Sequence, residues 1–420
     1  MGTGPSSQLW PPTPNVRAFQ QIIKHSQANG WLVTKLRGVA IIGTGMTSVS
    51  VGSGKTLAQL FVDAATNAIE DAGVGSIDSI YVGNMLSGFL QNQEHLGALM
   101  ATALQREGIP TYKIEGACAS GGVAMNAGVK AVLSGLEDIV LIGGVEKMSG
   151  YSTPEVTEGL MMAEDRIKVA STGVTFVGLN AMIAREYMRK YNVKHEMIAE
   201  FPVLCHANAL DNPYAQFHKK ISVQDVLASP LVADPLRLYD CAGIGDGAAA
   251  IILAPLERVH EFTESSIEVL ASIVATDSLS LHQREDITTF EASKTASRLA
   301  YERAHIKPED IDVLEVHDAF SMLGIMALED LGFAEKGSGV KMVMNGECVR
   351  DGKLPTNTFG GLKARGHPVG ASGVYQIAEL ALQLSNRSGK CQVSNANIGL
   401  SQSVGGIGST IALHVLRRSD

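Results

Sequence analysis

The segment best suited to nucleophilic chemistry is Ile114-Glu115-Gly116-Ala117-Cys118-Ala119-Ser120-Gly121-Gly122-Val123, a single thiol set among small residues. Thr111 to Glu115 alternate like the end of a strand, while Val123, Val129, Val132 and Leu133 fall near helical spacing. This pattern predicts Cys118 at or next to a helix N-terminus. The positive helix end and its free N–H groups would favour thiolate and lower the thiol pKa. The competing reading is a structural cysteine in a tight turn, since free cysteines are commonly buried and inert. Two imidazoles accompany the thiol: His317-Asp318-Ala319-Phe320 ends a predicted strand and Gly366-His367-Pro368 opens a predicted helix. Gln402-Ser403-Val404-Gly405-Gly406-Ile407-Gly408 reads as a glycine turn before a last strand, Ser409 to Leu416. Either histidine alone would more often be a satisfied core or surface residue.

The elements that must hold these groups begin at Gly38-Val39-Ala40-Ile41-Ile42-Gly43-Thr44-Gly45, a buried strand ending in a glycine turn. It is not a dinucleotide loop, because Thr47 and Ser48 follow Met46 where a third glycine is needed. A helix is expected over Lys55 to Ala72 and a strand over Ile77 to Asn84. The design returns as a helix over Ser293 to Ala304 and a strand over Ile311 to Asp318. The Cys118 segment and Gly366 to Val374 are both small-residue turns that open a helix. Two halves of similar βαβ plan imply an internal duplication, with functional groups meeting where the paired turns pack. Between them, from about Tyr151 to Val232, lies a helix-rich, methionine-rich insertion over the active site, carrying Lys168, Arg185, Arg189, Lys190, Lys194, Lys219 and Lys220. These could meet phosphates, but a charge run is usually only a solvated helix face. Asp240-Cys241-Ala242-Gly243-Ile244-Gly245-Asp246-Gly247 then makes a tight turn feeding a strand of small and branched residues.

Composition narrows the classes. With 420 residues, 45% hydrophobic content and 44 glycines, the chain can bury several cores and reads as a glycine-rich α/β protein. A net charge of −9 argues against a nucleic-acid partner. Five cysteines without a CxxC pair read as reduced thiols and not as a disulfide framework or zinc site. Apolar runs such as Ile139 to Ile142 are too short to span a membrane, so a soluble chain is expected. The first 62 residues hold no Asp or Glu, compatible with a mitochondrial presequence or with a disordered extension. The terminus Leu416 to Asp420 lacks a peroxisomal Ser-Lys-Leu signal.

In this order and combination the motifs resemble the thiolase superfamily over nearly everything from Gly38 to the C-terminus. His317-Asp318-Ala319-Phe320, with Asp240-Cys241 ahead of Asp246-Gly247-Ala248-Ala249-Ala250, is most similar to the sterol-carrier-protein-2 type thiolases and their thiolase-like relatives. Two-cysteine thiolases carry asparagine where this chain has His317. The resemblance implies an α/β thiolase fold of two duplicated βαβ-rich halves, 36–258 and 259–420, packed as five layers (αβαβα). A helical loop domain is inserted at about 151–232, and an extension covers 1–35. It implies that Cys118 is acylated by an acyl-CoA thioester and that His367 takes the thiol proton or pairs with the thiolate. His317 and His367 would face the thioester oxygen, and the N–H of Cys118, with that of Gly405 or its neighbour, would form a second oxyanion hole. Coenzyme A would be substrate with no tightly bound cofactor, acyl-CoA and CoA the partners, fatty-acid and lipid metabolism the setting, and a homodimer the assembly, a monomer remaining open.

There is also a departure. Thiolases move an α-proton with a second cysteine, near the C-terminus or inside the histidine motif, and this chain has Gln402-Ser403 and Ala319 there. Cys205, Cys241, Cys348 and Cys391 fall outside those motifs and read as core or loop residues. Condensation is therefore expected to be slow. The first reading is an acyltransferase cleaving short 3-oxoacyl-CoA thioesters to acetyl-CoA and acyl-CoA through acyl-Cys118. The alternatives are decarboxylation of malonyl-CoA-type thioesters by Cys118, His317 and His367, and a weakened acyl-CoA-binding protein.

Overall fold

The computed structural model describes residues 37–263 and 266–419, so the extension expected over 1–35 lies outside the described residues. Its strands are β1 (Val39–Met46), β2 (Ser79–Gly83), β3 (Thr111–Ile114), β4 (Val140–Glu146), a small ribbon of β5 (Leu231–Ala233) and β6 (Leu236–Arg237), β7 (Gly247–Pro255), β8 (Ile267–Thr276), β9 (Val313–Glu315), β10 (Ile398–Gly405) and β11 (Thr410–Arg418). All but the ribbon join in the order β3-β2-β4-β7-β1-β8-β11-β10-β9.

The expected duplication is written in that order. Outward from the β1–β8 junction, one arm runs β7, β4, β2, β3, with two antiparallel pairings followed by two parallel ones. The other runs β11, β10, β9 with the same sequence of directions. Beyond β9 a single parallel bridge, Leu314 to Thr356, stands where β3 stands in the first arm. The arms meet antiparallel through Ala40–Glu268 and Ile41–Ile267.

Five layers follow from which faces are apolar. The helix Leu57–Ala72 buries Leu57, Leu60, Phe61, Ala64, Ala65 and Ala68 against β1 and β7. Its ends are set locally by a Thr56/Gln59 capping box and by Gly73 in the left-handed region. The helix Glu291–Ala304 covers β8 and β11 from the far side. Between the arms lie Ser120–Ser134 and Ser372–Leu384, packed on each other and on both arms. Every residue of β7 is buried, as expected for a strand covered on both faces. Among the described residues no helix is long and apolar enough to cross a membrane.

Two boundaries differ from expectation. The strand expected over Ile311 to Asp318 pairs only over Val313–Glu315, because Val316 N–H turns to the Asn357 side chain at 2.8 Å instead of a strand neighbour. This frees His317 and Asp318 from the ladder. Gln402 to Gly405, expected in a turn, lie inside β10, and the turn begins at Gly406.

The insertion is helical, with Thr153–Met161, Phe176–Tyr191, Glu200–Ala209 and Val223–Ala228. Its cations fit a solvated face: Arg185 pairs with Asp234, Arg189 with Glu186, Lys190 with Asp286, and Lys219 donates to the Tyr239 hydroxyl.

The two middle helices start almost backbone against backbone. A Cβ on Gly373 would lie 2.5 Å from Gly122 N, and one on Gly121 would lie 2.9 Å from the Gly370 carbonyl oxygen. Gly373→Val is therefore expected to destabilise by about 1–3 kcal/mol. In urea denaturation this appears as a lower midpoint at unchanged slope, and an unchanged midpoint would contradict the packing described.

Candidate active site

The two helix starts are built alike. A 3-10 turn over Ala117–Ala119 leads into the helix at Ser120, and one over Val369–Ala371 leads into the helix at Ser372. Aligned on the shared Ala-Ser-Gly, Cys118 corresponds to Gly370 and Glu115 to His367. Cys118 thus sits where expected, immediately before a helix. Ala117 takes φ +51°, a left-handed conformation that a residue with a Cβ adopts at a cost of order 1–3 kcal/mol. The turn is held by the Ser120 hydroxyl, which accepts from Gly116 N–H at 3.0 Å and donates to the Ala117 carbonyl at 2.6 Å. Glu115 accepts from Ala117 N–H at 2.6 Å.

The expected lowering of the thiol pKa is corrected. Burial pushes Cys118 up to about 12, aided by the negative charges of Glu146 and Glu115. The N–H groups of Cys118 and Gly406 pull the other way but do not win. A helix end stabilises thiolate only where desolvation is smaller than its field, and Cys118 is 3% exposed.

The N–H directed at the thiol is that of Gly406. Of the pair expected from sequence, Gly405 or its neighbour, it is the neighbour, and Gly405 ends β10 opposite Thr410. Its contribution is its lack of a side chain, because a Cβ there would run into the Gly116 carbonyl oxygen and push the nucleophile turn away.

His367 is buried and its pKa is held well below the usual histidine value, first by burial and then by His317, Arg365 and Lys363. Its Nδ1 lies 2.7 Å from the Ser372 hydroxyl, which itself donates to the Pro368 carbonyl at 3.1 Å. With that hydroxyl hydrogen committed, Nδ1–H is the donor and Nε2 keeps its lone pair. His317 packs edge-on to His367 with ring centroids 5.2 Å apart. Burial, then the Arg365 charge, takes it down to about 3, so both imidazoles are neutral at physiological pH. The His317 Nδ1 has no protein hydrogen-bond partner.

Cys118 and His367 line one cavity of about 190 Å³. Its apolar wall comes from Met148, Val156, Leu160, Phe176, Val177 and Val369, so the insertion covers the thiol as expected. Gln402 and Ser403 do not line it. They are buried and tied to Ser293 and Gln376 at 2.9 Å each. The residue that sequence reasoning missed is Cys241, which lines this cavity together with Ala319 and Phe320. An isolated bridge between Cys241 and Phe320, and Ala242 N–H donating to the Ala319 carbonyl at 2.8 Å, fix it there. Cys241, expected to be a core or loop residue, thus shares the cavity of Cys118. The available signal was the Asp240 to Gly247 turn, a third small-residue turn resembling the two that carry Cys118 and His367. Cys205, Cys348 and Cys391 are buried elsewhere. Among the described residues no cluster of His, Cys, Asp or Glu could hold a metal ion.

Comparison with known proteins decides the family. Residues 39–257 match the family description "Thiolase, N-terminal domain" and residues 274–418 match "Thiolase C-terminal domain-like". The chain belongs to the thiolase family. It is 45% identical over 385 residues to an acetyl-CoA acetyltransferase of Methanothermobacter thermautotrophicus, covering 91% of this chain and 100% of that protein. It is 32% identical to human sterol carrier protein 2 over 405 residues, covering 91% of this chain and 72% of that protein. The structure of human mitochondrial 3-ketoacyl-CoA thiolase superimposes with a TM-score of 0.69 at 18% identity, covering 91% and 100% of the two chains, and shows the fold. This thiolase-family chain is an acyltransferase.

A buried neutral thiol beside a neutral imidazole makes a definite prediction about reactivity. A group whose pKa is raised stays protonated until the pH climbs to it, so alkylation of Cys118 by iodoacetamide should keep accelerating above pH 9. A reactivity plateau already reached below pH 7, the mark of a thiolate–imidazolium pair, would contradict the electrostatics described.

Proposed function

We propose that this protein cleaves short 3-oxoacyl-CoA thioesters with coenzyme A, giving acetyl-CoA and a shortened acyl-CoA through an acyl-Cys118 intermediate. The observation that carries the reading is one small apolar cavity lined by both the Cys118 thiol and an imidazole with its tautomer fixed, the Gly406 amide being directed at that thiol. Its volume of about 190 Å³ lies below the roughly 300 Å³ where pockets for drug-sized ligands begin, which favours a short acyl group over a long chain. The named relatives include acetyl-CoA acetyltransferases, which supports an acetyl-sized product.

His367 acts as general base through Nε2 while Cys118 attacks the 3-oxo carbon. A resting ion pair is disfavoured because both partners are held neutral. The amides of Cys118 and Gly406 receive the oxyanion that forms at the attacked carbon, being the donors that already face the sulfur. Neutral His317, beside His367, donates to the thioester oxygen as enolate charge develops there.

Incubation with acetoacetyl-CoA and CoA should release acetyl-CoA, and intact mass should show one acetyl group on Cys118. Cys118→Ala should abolish both, whereas His367→Ala should lower turnover by about 10²–10⁴-fold as expected for loss of a general base. His317→Ala should lower it by about 10²–10³-fold, the usual effect of removing one oxyanion donor. Turnover in Cys118→Ala equal to wild type would refute the covalent route.

A further inference from the structure

Cleavage leaves a problem that the groups assigned so far do not solve. When the bond between the α- and β-carbons breaks, its electron pair goes to the α-carbon of the departing acetyl-CoA, and a proton must reach that carbon. His367 has at that moment taken the Cys118 proton and is needed to return it. Of the remaining cavity-lining residues only the Cys241 thiol can exchange a proton near neutral pH, since the others are apolar or carry only threonine hydroxyls.

The surroundings of Cys241 suit that task. Its S–H makes only a long contact of 3.4 Å to the Arg237 carbonyl, a weak hydrogen bond that does not commit it. The side chain is half-buried, open to the cavity and not sealed in the core. Nearby, Lys363 is 2% exposed and its ammonium has no hydrogen-bond partner. Its charge acts on Cys241, Asp240, Asp318 and Cys205. The two carboxylates are already satisfied: Asp240 by His195 at 2.7 Å, by Ser321 at 3.0 Å and by Arg237 N–H, and Asp318 by Leu362 N–H at 2.7 Å and by Cys205. Burial holds the Lys363 pKa below its usual value, the negative charges around it act the other way, and a Cys241 thiolate would add to them. Burial keeps Cys241 protonated at rest, up at about 11, while Lys363 pulls the other way and compensates the charge once the proton leaves.

Building on the cleavage proposed above, we infer that Cys241 is the second proton-transfer residue of this enzyme, delivering its thiol proton to the α-carbon of the departing acetyl-CoA. The protons balance. His367 takes the Cys118 proton, Cys118 sulfur bonds the β-carbon, the carbon–carbon bond breaks, and Cys241 gives its proton to the α-carbon. Acetyl-CoA leaves, with acyl-Cys118, imidazolium and Cys241 thiolate remaining. Incoming CoA loses its thiol proton to water and attacks the acyl carbon as thiolate, and water returns a proton to the Cys241 thiolate. The Cys118 sulfur departs and recovers its proton from His367. In reverse, Cys241 thiolate removes an α-proton from acetyl-CoA, so condensation is open to this chain.

Exchange isolates the step. The full chain is incubated with acetyl-CoA in D₂O, and mass spectrometry follows deuterium entering the acetyl methyl group while intact mass follows acetyl-Cys118. Cys241→Ala should still form acetyl-Cys118 but should lose deuterium entry and acetoacetyl-CoA cleavage by about 10²–10⁴-fold. Cys241→Ser, which keeps the size and the contact to Arg237, should match the wild-type melting midpoint and acetylation yet remain deficient in exchange. Wild-type exchange in Cys241→Ala, or its rescue by serine, would overturn the inference while the acyl-Cys118 reading stood. Loss of acetyl-Cys118 in both variants would show a structural role and would also overturn it. If wild type itself formed no acetyl-Cys118 and cleaved no acetoacetyl-CoA, the functional reading would fall first and this inference with it.

Discussion

The close approach of two helix starts is the constraint on which the rest of the structure depends. Ser120–Ser134 and Ser372–Leu384 open side by side in the middle layer, and glycine at 121 and 373 lets their backbones come within contact. Glu146, at the end of β4, ties the junction by accepting from Gly370 N–H at 3.0 Å and from Met85 and Leu86 N–H at 3.0 and 3.1 Å. A carboxylate in this position binds a turn of one half to a loop of the other. Cys118 and His367, 249 positions apart in the numbering, share a cavity because these starts cannot move apart without breaking that packing.

The same compaction sets the electrostatics. Forming a free Cys118 thiolate at pH 7 from a thiol that titrates at about 12 would cost about 7 kcal/mol, at roughly 1.4 kcal/mol per decade. No field from a single helix end offsets this, since such fields are worth at most about 2 kcal/mol. Proton transfer must therefore accompany attack, and the imidazole must be neutral and correctly oriented before substrate arrives. Ser372 fixes that orientation, because its hydroxyl is turned to Pro368 and leaves Nδ1–H as the donor.

Much of this was legible in the sequence because the signals are local. Val123, Val129 and Val132 gave the helix period, Gly116 to Gly122 the turn, and the repeated βαβ plan the two arms. The fold family followed from motif order. What could not be read depends on distance in the chain or on burial. The sign of the Cys118 shift needed the depth of the site, which no pattern in residues 114–123 reports. Which of Gly405 and its neighbour donates to the thiol was left open by sequence, because the end of β10 at Gly405 is not marked in its glycines. Cys241 stands 123 positions after Cys118, in a turn whose only visible property is small residues. Its contact with Phe320 is made by an isolated bridge, the kind of pairing that leaves no periodicity.

Duplication also explains why the chemistry had to become unequal. Two equivalent turns give an equivalent backbone, but acyl transfer needs a nucleophile on one and a base on the other. The position matching Cys118 is Gly370, and a Cβ there would fall 2.7 Å from both Asn84 Cα and a Glu146 carboxylate oxygen, so the second turn has no room for a thiol. Its functional side chain enters three residues earlier, where His367 stands in place of Glu115. The Cys241 turn belongs to neither copy of this pair; it precedes β7 and reaches the cavity from the side of the Ala319 loop. A site assembled from two symmetric turns and one unsymmetric turn can give each reaction partner its own proton carrier.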